Sequence, residues 1–125
     1  MIHLDTHVVV WLYAGDLRRF SPAARRRLGG EELRISPMVA LELQYLHEVG
    51  RISEAAGGVL SELSRKLGLS QAEGEFSSVA AAAVGFGWAR DPFDRLIVAH
   101  AAVHGATLLT KDRLIRRNYR HAVWD

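Results

Sequence analysis

IHLDTHVVVWLYAG, residues 2–15, joins a short apolar segment to a second one through an acid, and the second segment ends at a glycine. Met1–Leu4 predicts a short buried strand. Thr6–Tyr13 predicts a helix despite its β-branched residues, because Asp5 and Thr6 can cap the first turn and Gly15 can end the last one. The chain is therefore expected to open with a strand that leads directly into a helix.

The same alternation continues to the C-terminus. Further helices are predicted at Ser21–Gly30, Pro37–Val49, Ser53–Leu67, Phe76–Phe86, Asp91–Val103 and Arg113–Arg117. Further strands are predicted at Leu33–Ser36, Leu69–Gln71, Thr107–Leu109 and Ala122–Trp124. Short apolar strands separated by helices favour an α/β fold in which helices cover both faces of a parallel sheet.

Length and composition exclude several classes of protein. The chain has 125 residues, which predicts one domain, residues 1–125. It has no cysteine, so disulfides and thiolate zinc sites are excluded. No segment approaches the roughly 18 apolar residues of a membrane span, and the N-terminus lacks the pattern of a signal peptide. A cytoplasmic protein without a membrane segment is expected.

Four acids lie at positions where an unpaired carboxylate is unfavourable. Asp5 ends the first apolar segment, Glu42 lies on an apolar helical face, Asp94 lies near the start of an apolar helix, and Asp112 follows an apolar strand. Sites of parallel sheets form beyond the carboxyl ends of the strands, which is where Asp5 and Asp112 are expected. Each pair of like charges about 4 Å apart costs on the order of 4 kcal/mol at an effective dielectric constant near 20. The pattern therefore predicts a cation among these acids.

Each acid also has a simpler interpretation. Glu42 could form a buried ion pair, for example with Arg95. Asp91 precedes Pro92 and could serve only as a helix cap, and Asp5, Asp94 and Asp112 could be cap or turn residues as well. The hydroxyl groups of Thr6, Thr110 and Ser36 could orient a carboxylate, although capping is the more common role. The convergence of several acids at one sheet edge favours a site.

The remaining polar and aromatic residues give weaker signals. The last 25 residues contain Lys111, Arg113, Arg116, Arg117 and Arg120 against two acids, which suits a polyanion such as RNA. The six histidines match no zinc-binding spacing, and His100 and His104 have no partner nearby in sequence, so structural roles are expected. Trp11, Trp88 and Trp124 are expected in the core or in an interface.

Four segments, taken together, resemble the PIN domain of VapC-type toxins: LDTHVVVWLYAGD, SPMVALELQYLHEVGRI, DPFDRLIVAHA and LLTKDRLIRRN. The resemblance implies a three-layer α/β/α sandwich with a short central parallel sheet. It also implies a magnesium- or manganese-dependent ribonuclease, which a cognate VapB-type antitoxin inhibits, and a homodimer. Asp5, Glu42, Asp94 and Asp112 match the acidic quartet of that family, whereas the role of Asp91 stays open between ligand and cap.

The resemblance leads to a mechanistic hypothesis. Asp5 and Asp94 are expected to hold an Mg²⁺ or Mn²⁺ ion. Glu42 and Asp112 are expected to complete its coordination shell through water or to bind a second ion. A metal-activated water would then attack the scissile phosphorus and leave 5′-phosphate and 3′-hydroxyl ends. Contacts to backbone phosphates are assigned to Lys111, Arg113, Arg116 and Arg117.

Other readings stay open at this point. One is an RNA-processing PIN-like nuclease that has no antitoxin, and another is a non-catalytic module whose acids bind an arginine-rich partner. A third makes Asp5 a phospho-acceptor, but phosphatases of that kind need a second aspartate at the position that His7 occupies here. No motif in the sequence identifies the RNA that would be cleaved.

Overall fold

The computed structural model describes all residues from 1 to 125 and contains five strands and seven helices. The strands are β1 (Ile2–Leu4), β2 (Leu33–Ile35), β3 (Ser70–Gln71), β4 (Thr107–Leu109) and β5 (Ala122–Val123). The helices are α1 (Thr6–Ala14), α2 (Pro22–Gly30), α3 (Pro37–Glu48), α4 (Ala56–Leu67), α5 (Phe76–Val84), α6 (Pro92–Val103) and α7 (Arg113–Asn118). A short 3-10 helix, Leu17–Arg19, follows α1 and was not predicted.

All strand pairs are parallel, and the strand order is β3-β2-β1-β4-β5. The central strand β1 pairs with both β2 and β4, and all three of its residues are buried. Helices therefore cover both faces of the sheet, as the α/β/α prediction requires. Because the strands are parallel, the residues that follow β1, β2 and β4 meet at one edge of the sheet.

The core surrounds the apolar residues of the central strands. Ile2 and Leu4 on β1 and Leu108 and Leu109 on β4 are fully buried and belong to one continuous apolar cluster. Burial of each such side chain contributes about 1.5–3 kcal/mol. The packing of these strands fixes the positions of the residues that follow them. No helix is long and apolar enough to cross a membrane.

Side-chain caps start most helices where the sequence predicts them. Asp5, Ser21, Ser36, Asp91 and Asp112 each accept a hydrogen bond from a backbone N–H in the first turn of the next helix. Each of these acids and serines therefore has a local structural role. For Asp5, Asp91 and Asp112 this role coexists with a place in the candidate site described below.

The predicted start of α4 at Ser53 is wrong, because the helix begins at Ala56. The residue before it, Ala55, provides no side-chain cap. Instead the Gln44 side chain, on the neighbouring helix α3, accepts a hydrogen bond from Ala56 N at 3.2 Å. A cap supplied by another helix gives no signal in the local sequence. Ser53, which could have capped the helix, lies three residues before its actual start.

Three histidines lie together between β1 and α6, because His100 and His104, which have no partner nearby in sequence, meet His3 from the other end of the chain. The ring centroid of His3 is 5.6 Å from that of His100 and 5.8 Å from that of His104, and the last two are 5.3 Å apart. Burial, followed by the neighbouring imidazoles, lowers the pKa of His3 to about 4, so its ring is neutral at pH 7.

Candidate active site

Five carboxylates line one cleft of about 390 Å³ at the carboxyl edge of the sheet: Asp5, Glu42, Asp91, Asp94 and Asp112. They come from distant parts of the chain, at the ends of β1 and β4 and on or before helices α3, α6 and α7. The four acids that the sequence predicts to converge therefore do lie together. Asp91, which the sequence leaves open between ligand and cap, lies with them.

Asp5 is held by two donors from opposite sides. Thr6 N donates to its Oδ1 at 2.8 Å, and the Thr110 hydroxyl donates to its Oδ2 at 2.6 Å. The side chain is buried, and this burial raises the pKa of the carboxyl even though both hydrogen bonds oppose the shift. The two strand ends therefore hold the Asp5 carboxylate rigidly at the floor of the cleft.

Glu42 projects from the middle of α3 toward the same floor. The hydroxyl of Thr6 donates to its Oε1 at 2.5 Å, and the residue is only 9% exposed. Desolvation raises the pKa of Glu42, and the charges of Asp5 and Asp91 raise it further. The alternative of an ion pair with Arg95 is wrong, because Arg95 donates to the carbonyl oxygens of Ala83 and Val84.

Asp91 and Asp94 form a compact group with Glu42. One carboxylate oxygen from each of these three residues lies within 4.8 Å of the other two. Asp91 also accepts from Asp94 N at 3.1 Å, so its role as a cap places its charge beside the other acids. Burial, and then the charges of Asp5 and Asp91, raise the pKa of Asp94 to about 7.

Asp112 lies at the exposed border of the cleft. Its Oδ1 accepts from Ile115 N at 3.0 Å, which caps α7, and its own N–H donates to the Thr110 hydroxyl oxygen at 3.1 Å. The Thr110 hydroxyl thus donates to Asp5 and accepts from the Asp112 backbone. Of the three hydroxyl groups that the sequence suggested as orienting groups, those of Thr6 and Thr110 contact a carboxylate of the site. The hydroxyl of Ser36 does not, because it accepts from Met38 N and lies beside His100.

No cationic side chain of the chain forms an ion pair with the carboxylates of this cluster. The carboxylates that form ion pairs are those of other residues, namely Asp16, Glu31, Glu32, Glu62 and Asp125. Burial raises the pKa of Asp5, Glu42 and Asp94, and repulsion by neighbouring carboxylates raises each of them further. Donors that are all carboxylate oxygens suit a hard divalent cation such as Mg²⁺ or Mn²⁺, so the residues present fit such an ion.

The basic residues assigned to phosphate contacts have different surroundings. Lys111 lines the cleft, and Arg113 and Arg117 are exposed. Arg116 is half-buried, donates to Lys111 O at 3.3 Å and lies 3.8 Å from a carboxylate oxygen of Asp125. Arg116 therefore stabilises the C-terminal segment, which leaves less of its charge for a ligand.

Sequence reasoning missed the polar and aromatic residues of the cleft wall: His7, Trp11, Tyr45 and Arg51. Tyr45 follows Glu42 by three positions, so helical spacing alone places it on the same side of α3. Arg51 gives no such signal, because it reaches the cleft from the bend after α3. Trp11 also packs against Phe20 and Trp124, which agrees with its expected place beside the core.

Comparison with known proteins agrees with this architecture. The PIN domain family matches residues 2–120. Ribonuclease VapC22 of Mycobacterium tuberculosis (strain ATCC 25618 / H37Rv) is 39% identical over 121 residues, which cover 94% of this chain and 91% of that protein. A chain in the crystal structure of VapBC2 from Rickettsia felis, bound to a DNA fragment from their promoter, superposes with a TM-score of 0.69 at 20% identity, and the match covers 100% of both chains.

The structural match supports the fold, and the two sequence matches span nearly the whole chain. The family match, residues 2–120, includes every carboxylate of the cleft and the strands and helices that position them. With its parallel sheet and its acids at the carboxyl edge, this chain belongs to the PIN domain family.

Proposed function

We propose that this chain is a divalent-metal-dependent endoribonuclease and the toxin of a type II toxin–antitoxin system. The observation that carries the proposal is the cleft in which five carboxylates converge without a cationic partner from the chain. A buried cluster of this kind is stable at neutral pH when a divalent cation binds it. The 39% identity with a ribonuclease of the VapC type supports the choice of RNA as substrate.

In this proposal the core of the metal site consists of Glu42, Asp94 and Asp5. Asp91 is included as well, because one of its carboxylate oxygens lies within 4.8 Å of oxygens of Glu42 and Asp94. Asp112 completes the site at the exposed border. When bound, Mg²⁺ or Mn²⁺ would activate water for attack on a phosphodiester and offset charge on the phosphate. The chain's own contribution is orientation, since Thr6 and Thr110 fix the Glu42 and Asp5 carboxylates.

Cationic residues at the border would hold the RNA backbone. Lys111 and Arg51 line the cleft, are exposed and form no ion pair, so their charges are available to phosphates. Arg113 and Arg117 extend the positive surface beyond the cleft, whereas Arg116 has a mainly structural role. Such contacts position the strand and carry no information on base sequence.

The proposed partner is a VapB-type antitoxin, which would block the same cleft. An inserted arginine could form bidentate hydrogen bonds with these carboxylates and replace the charge of the cation. Homodimerisation and a cytoplasmic location are part of the same proposal. Both rest on the resemblance to VapC-type toxins, whereas the antitoxin is also supported by the identity with a VapC ribonuclease and by a structural neighbour that is a VapBC complex.

A cleavage assay with purified protein tests the proposal. End-labelled single-stranded RNA is incubated with Mg²⁺, with Mn²⁺ or with EDTA, and the product ends are identified. We expect cleavage only with the metal ions, 5′-phosphate and 3′-hydroxyl ends, and no cleavage by folded Asp5→Asn. Cyclic phosphate ends, or equal activity in EDTA, would contradict the mechanism. Full activity after addition of the protein encoded beside this chain would instead favour a nuclease that has no antitoxin.

A further inference from the structure

The three histidines between β1 and α6 form a cluster that the carboxylate cleft does not use. His100 and His104 lie one turn apart, and the Nε2 atoms of both lie close to the same acceptor, Glu73 O, at 2.8 and 2.6 Å. Two imidazole nitrogens therefore already converge on one point. Next to them is Gly74, with φ +129°, where an added Cβ would lie 3.4 Å from His104 Nε2 and 3.5 Å from His100 Nε2.

His3 faces this pair without any hydrogen bond of its own. The residue is 1% exposed, and neither ring nitrogen has a hydrogen-bond partner. A neutral imidazole has one N–H donor and one acceptor nitrogen, so both are unsatisfied here. A buried polar group without a partner is unfavourable, and a ligand between the rings would remove that penalty.

The separations of the rings match those around a transition-metal ion. A point equidistant from the three ring centroids lies about 3.2 Å from each of them. A ring nitrogen lies about 1.15 Å from its own centroid, so a ring turned toward that point places its nitrogen about 2.05 Å away, within the 2.0–2.1 Å of Zn–N bonds. The three nitrogens are not all within 4.8 Å of one another in the present rotamers, so binding requires the rings to turn. The equidistant point lies in the plane of the three centroids, so a tetrahedral ion with a fourth ligand also requires the rings to move slightly closer together.

The surroundings permit that rotation. His3 loses no hydrogen bond when it turns, and His104 is exposed at the end of α6. His100 is oriented from behind by Ser36, whose Oγ lies 3.1 Å from its Nδ1. Metal-ligating histidines commonly have such a partner on the second nitrogen. With metal on Nε2, His100 would donate its Nδ1–H to Ser36 in place of its present bond to Glu73 O.

We propose that His3, His100 and His104 form a second binding site, for a transition-metal ion of the Zn²⁺ class. Its three nitrogen donors distinguish it from the carboxylate cleft, whose oxygen donors suit Mg²⁺ or Mn²⁺. The fourth position is left to Glu73 or to water. The ion would join β1, which leads into Asp5, to α6, which contains Asp94. It would therefore stabilise the part of the fold that carries the active site.

The test uses protein without a histidine tag, stripped of metal and then titrated with Co²⁺ in excess Mg²⁺. Mg²⁺ occupies the carboxylates, whereas three imidazoles should give Co²⁺ the strong visible absorption of a tetrahedral site. We expect one Co²⁺ per chain, displacement by Zn²⁺, and an increase in Tm with Zn²⁺. In His104→Gln the visible absorption should disappear, and the affinity for Co²⁺ should fall by at least roughly tenfold.

Two matched variants make the result specific. His121→Gln removes an exposed histidine outside the cluster, and Asp94→Asn alters the carboxylate cleft; both should keep the cobalt spectrum. Because His104 is exposed, its substitution should leave the fold intact, which circular dichroism checks. The proposal is overturned if no tetrahedral spectrum forms, if it persists in His104→Gln, or if Asp94→Asn abolishes it.

Discussion

The hydroxyl of Thr110 donates a hydrogen bond to the Asp5 carboxylate at 2.6 Å, although 105 positions separate the two residues in the chain. Thr110 follows β4 and Asp5 follows β1, and these strands pair in register from Ile2 with Thr107 to Leu4 with Leu109. The parallel pairing thus brings the two residues to the same edge of the sheet. The same hydroxyl oxygen accepts from Asp112 N, so one side chain orients two acids of the proposed site.

Thr110→Val should therefore impair metal binding and catalysis more than it impairs folding. Valine keeps the shape of threonine but leaves the buried Asp5 carboxylate with one donor fewer, which costs about 1–3 kcal/mol. We expect roughly a tenfold or greater loss in kcat/KM, together with weaker Mn²⁺ binding by calorimetry.

Thr107→Val provides the control for this substitution, because Thr107 lies on the same strand and its hydroxyl contacts no acid of the site. Its activity and Mn²⁺ affinity should stay near those of the parent protein. Equal losses in the two variants would show that the strand, and not the bond to Asp5, explains the effect.

Asp91 gives a second prediction, because substitutions can separate its role as a helix cap from the effect of its negative charge. Asparagine caps helices about as well as aspartate, so Asp91→Asn should leave the start of α6 intact. The substitution removes a charge whose oxygen lies within 4.8 Å of oxygens of Glu42 and Asp94. If Asp91 is a ligand, Mn²⁺ affinity and RNA cleavage should fall by at least about tenfold while Tm stays unchanged or rises.

Asp91→Ala serves as the comparison, since it removes both the cap and the charge. It should lose metal affinity to the same extent and should also be destabilised by about 1 kcal/mol relative to Asp91→Asn. Parental cleavage rates in Asp91→Asn would mean that Asp91 acts only as a cap.

The order of strands and helices could be predicted because each signal is local. Ser21, Ser36 and Asp91 directly precede a proline at the first turn, and glycine follows α1 and α4. The convergence of the acids follows from the same logic, because residues after parallel strands share one edge. Fold and site therefore depend on signals within a few residues of each boundary.

The errors concern contacts between distant segments. Gln44 caps α4 from another helix, Arg51 enters the cleft from a bend, and His3 meets the histidines of α6 across about 100 positions. Arg95 is another case, because its guanidinium bonds to the end of α5 and does not reach Glu42. Such pairings depend on how helices pack on the sheet, which no local pattern encodes.

The two cationic residues at the border of the cleft, Arg51 and Lys111, give a third prediction, which concerns the binding of RNA. In an inactive Asp5→Asn background, Arg51→Ala and Lys111→Ala should each weaken binding of single-stranded RNA with little dependence on its sequence. Each contact to a phosphate contributes about 0.7 to the slope of log affinity against log salt concentration. Each substitution should therefore reduce that slope by about this amount, as fluorescence anisotropy at several salt concentrations would measure.

Arg65→Ala is the matched control, because Arg65 is exposed on α4, pairs with Glu62 and does not line the cleft. Arg116→Ala should have a smaller effect on the slope than Lys111→Ala, since Arg116 is engaged with Asp125 and Lys111 O. An unchanged slope in Arg51→Ala would exclude Arg51 from the path of the RNA.

Asp94 leads to a prediction on stability and pH in protein without divalent ions. Its pKa is about 7 in the folded chain, against 3.8 for an unperturbed aspartate, so the folded state binds more protons between these values. The free energy of unfolding then falls as pH rises from about 4 to 7, and the full penalty remains at pH 8. Asp94→Asn removes the penalty and should be more stable than the parent at pH 8, on the order of 1 kcal/mol or about 4 °C in Tm after allowance for solvent screening.

The measurement is the difference in Tm between parent and Asp94→Asn from pH 5 to pH 8. His3 has the opposite effect on stability, because its lowered pKa removes stability as pH falls below 6.5. Both proteins contain His3, so its effect cancels in the difference. The difference should grow with pH and should shrink when Mg²⁺ is added, since the cation offsets both the burial of the Asp94 charge and its repulsion by the other acids. Asp16→Asn should show no such gain, because Arg19 lowers the pKa of Asp16 and its charge is favourable. A difference that is constant with pH, or insensitive to Mg²⁺, would contradict the view that burial and repulsion of the acidic charges favour a bound cation here.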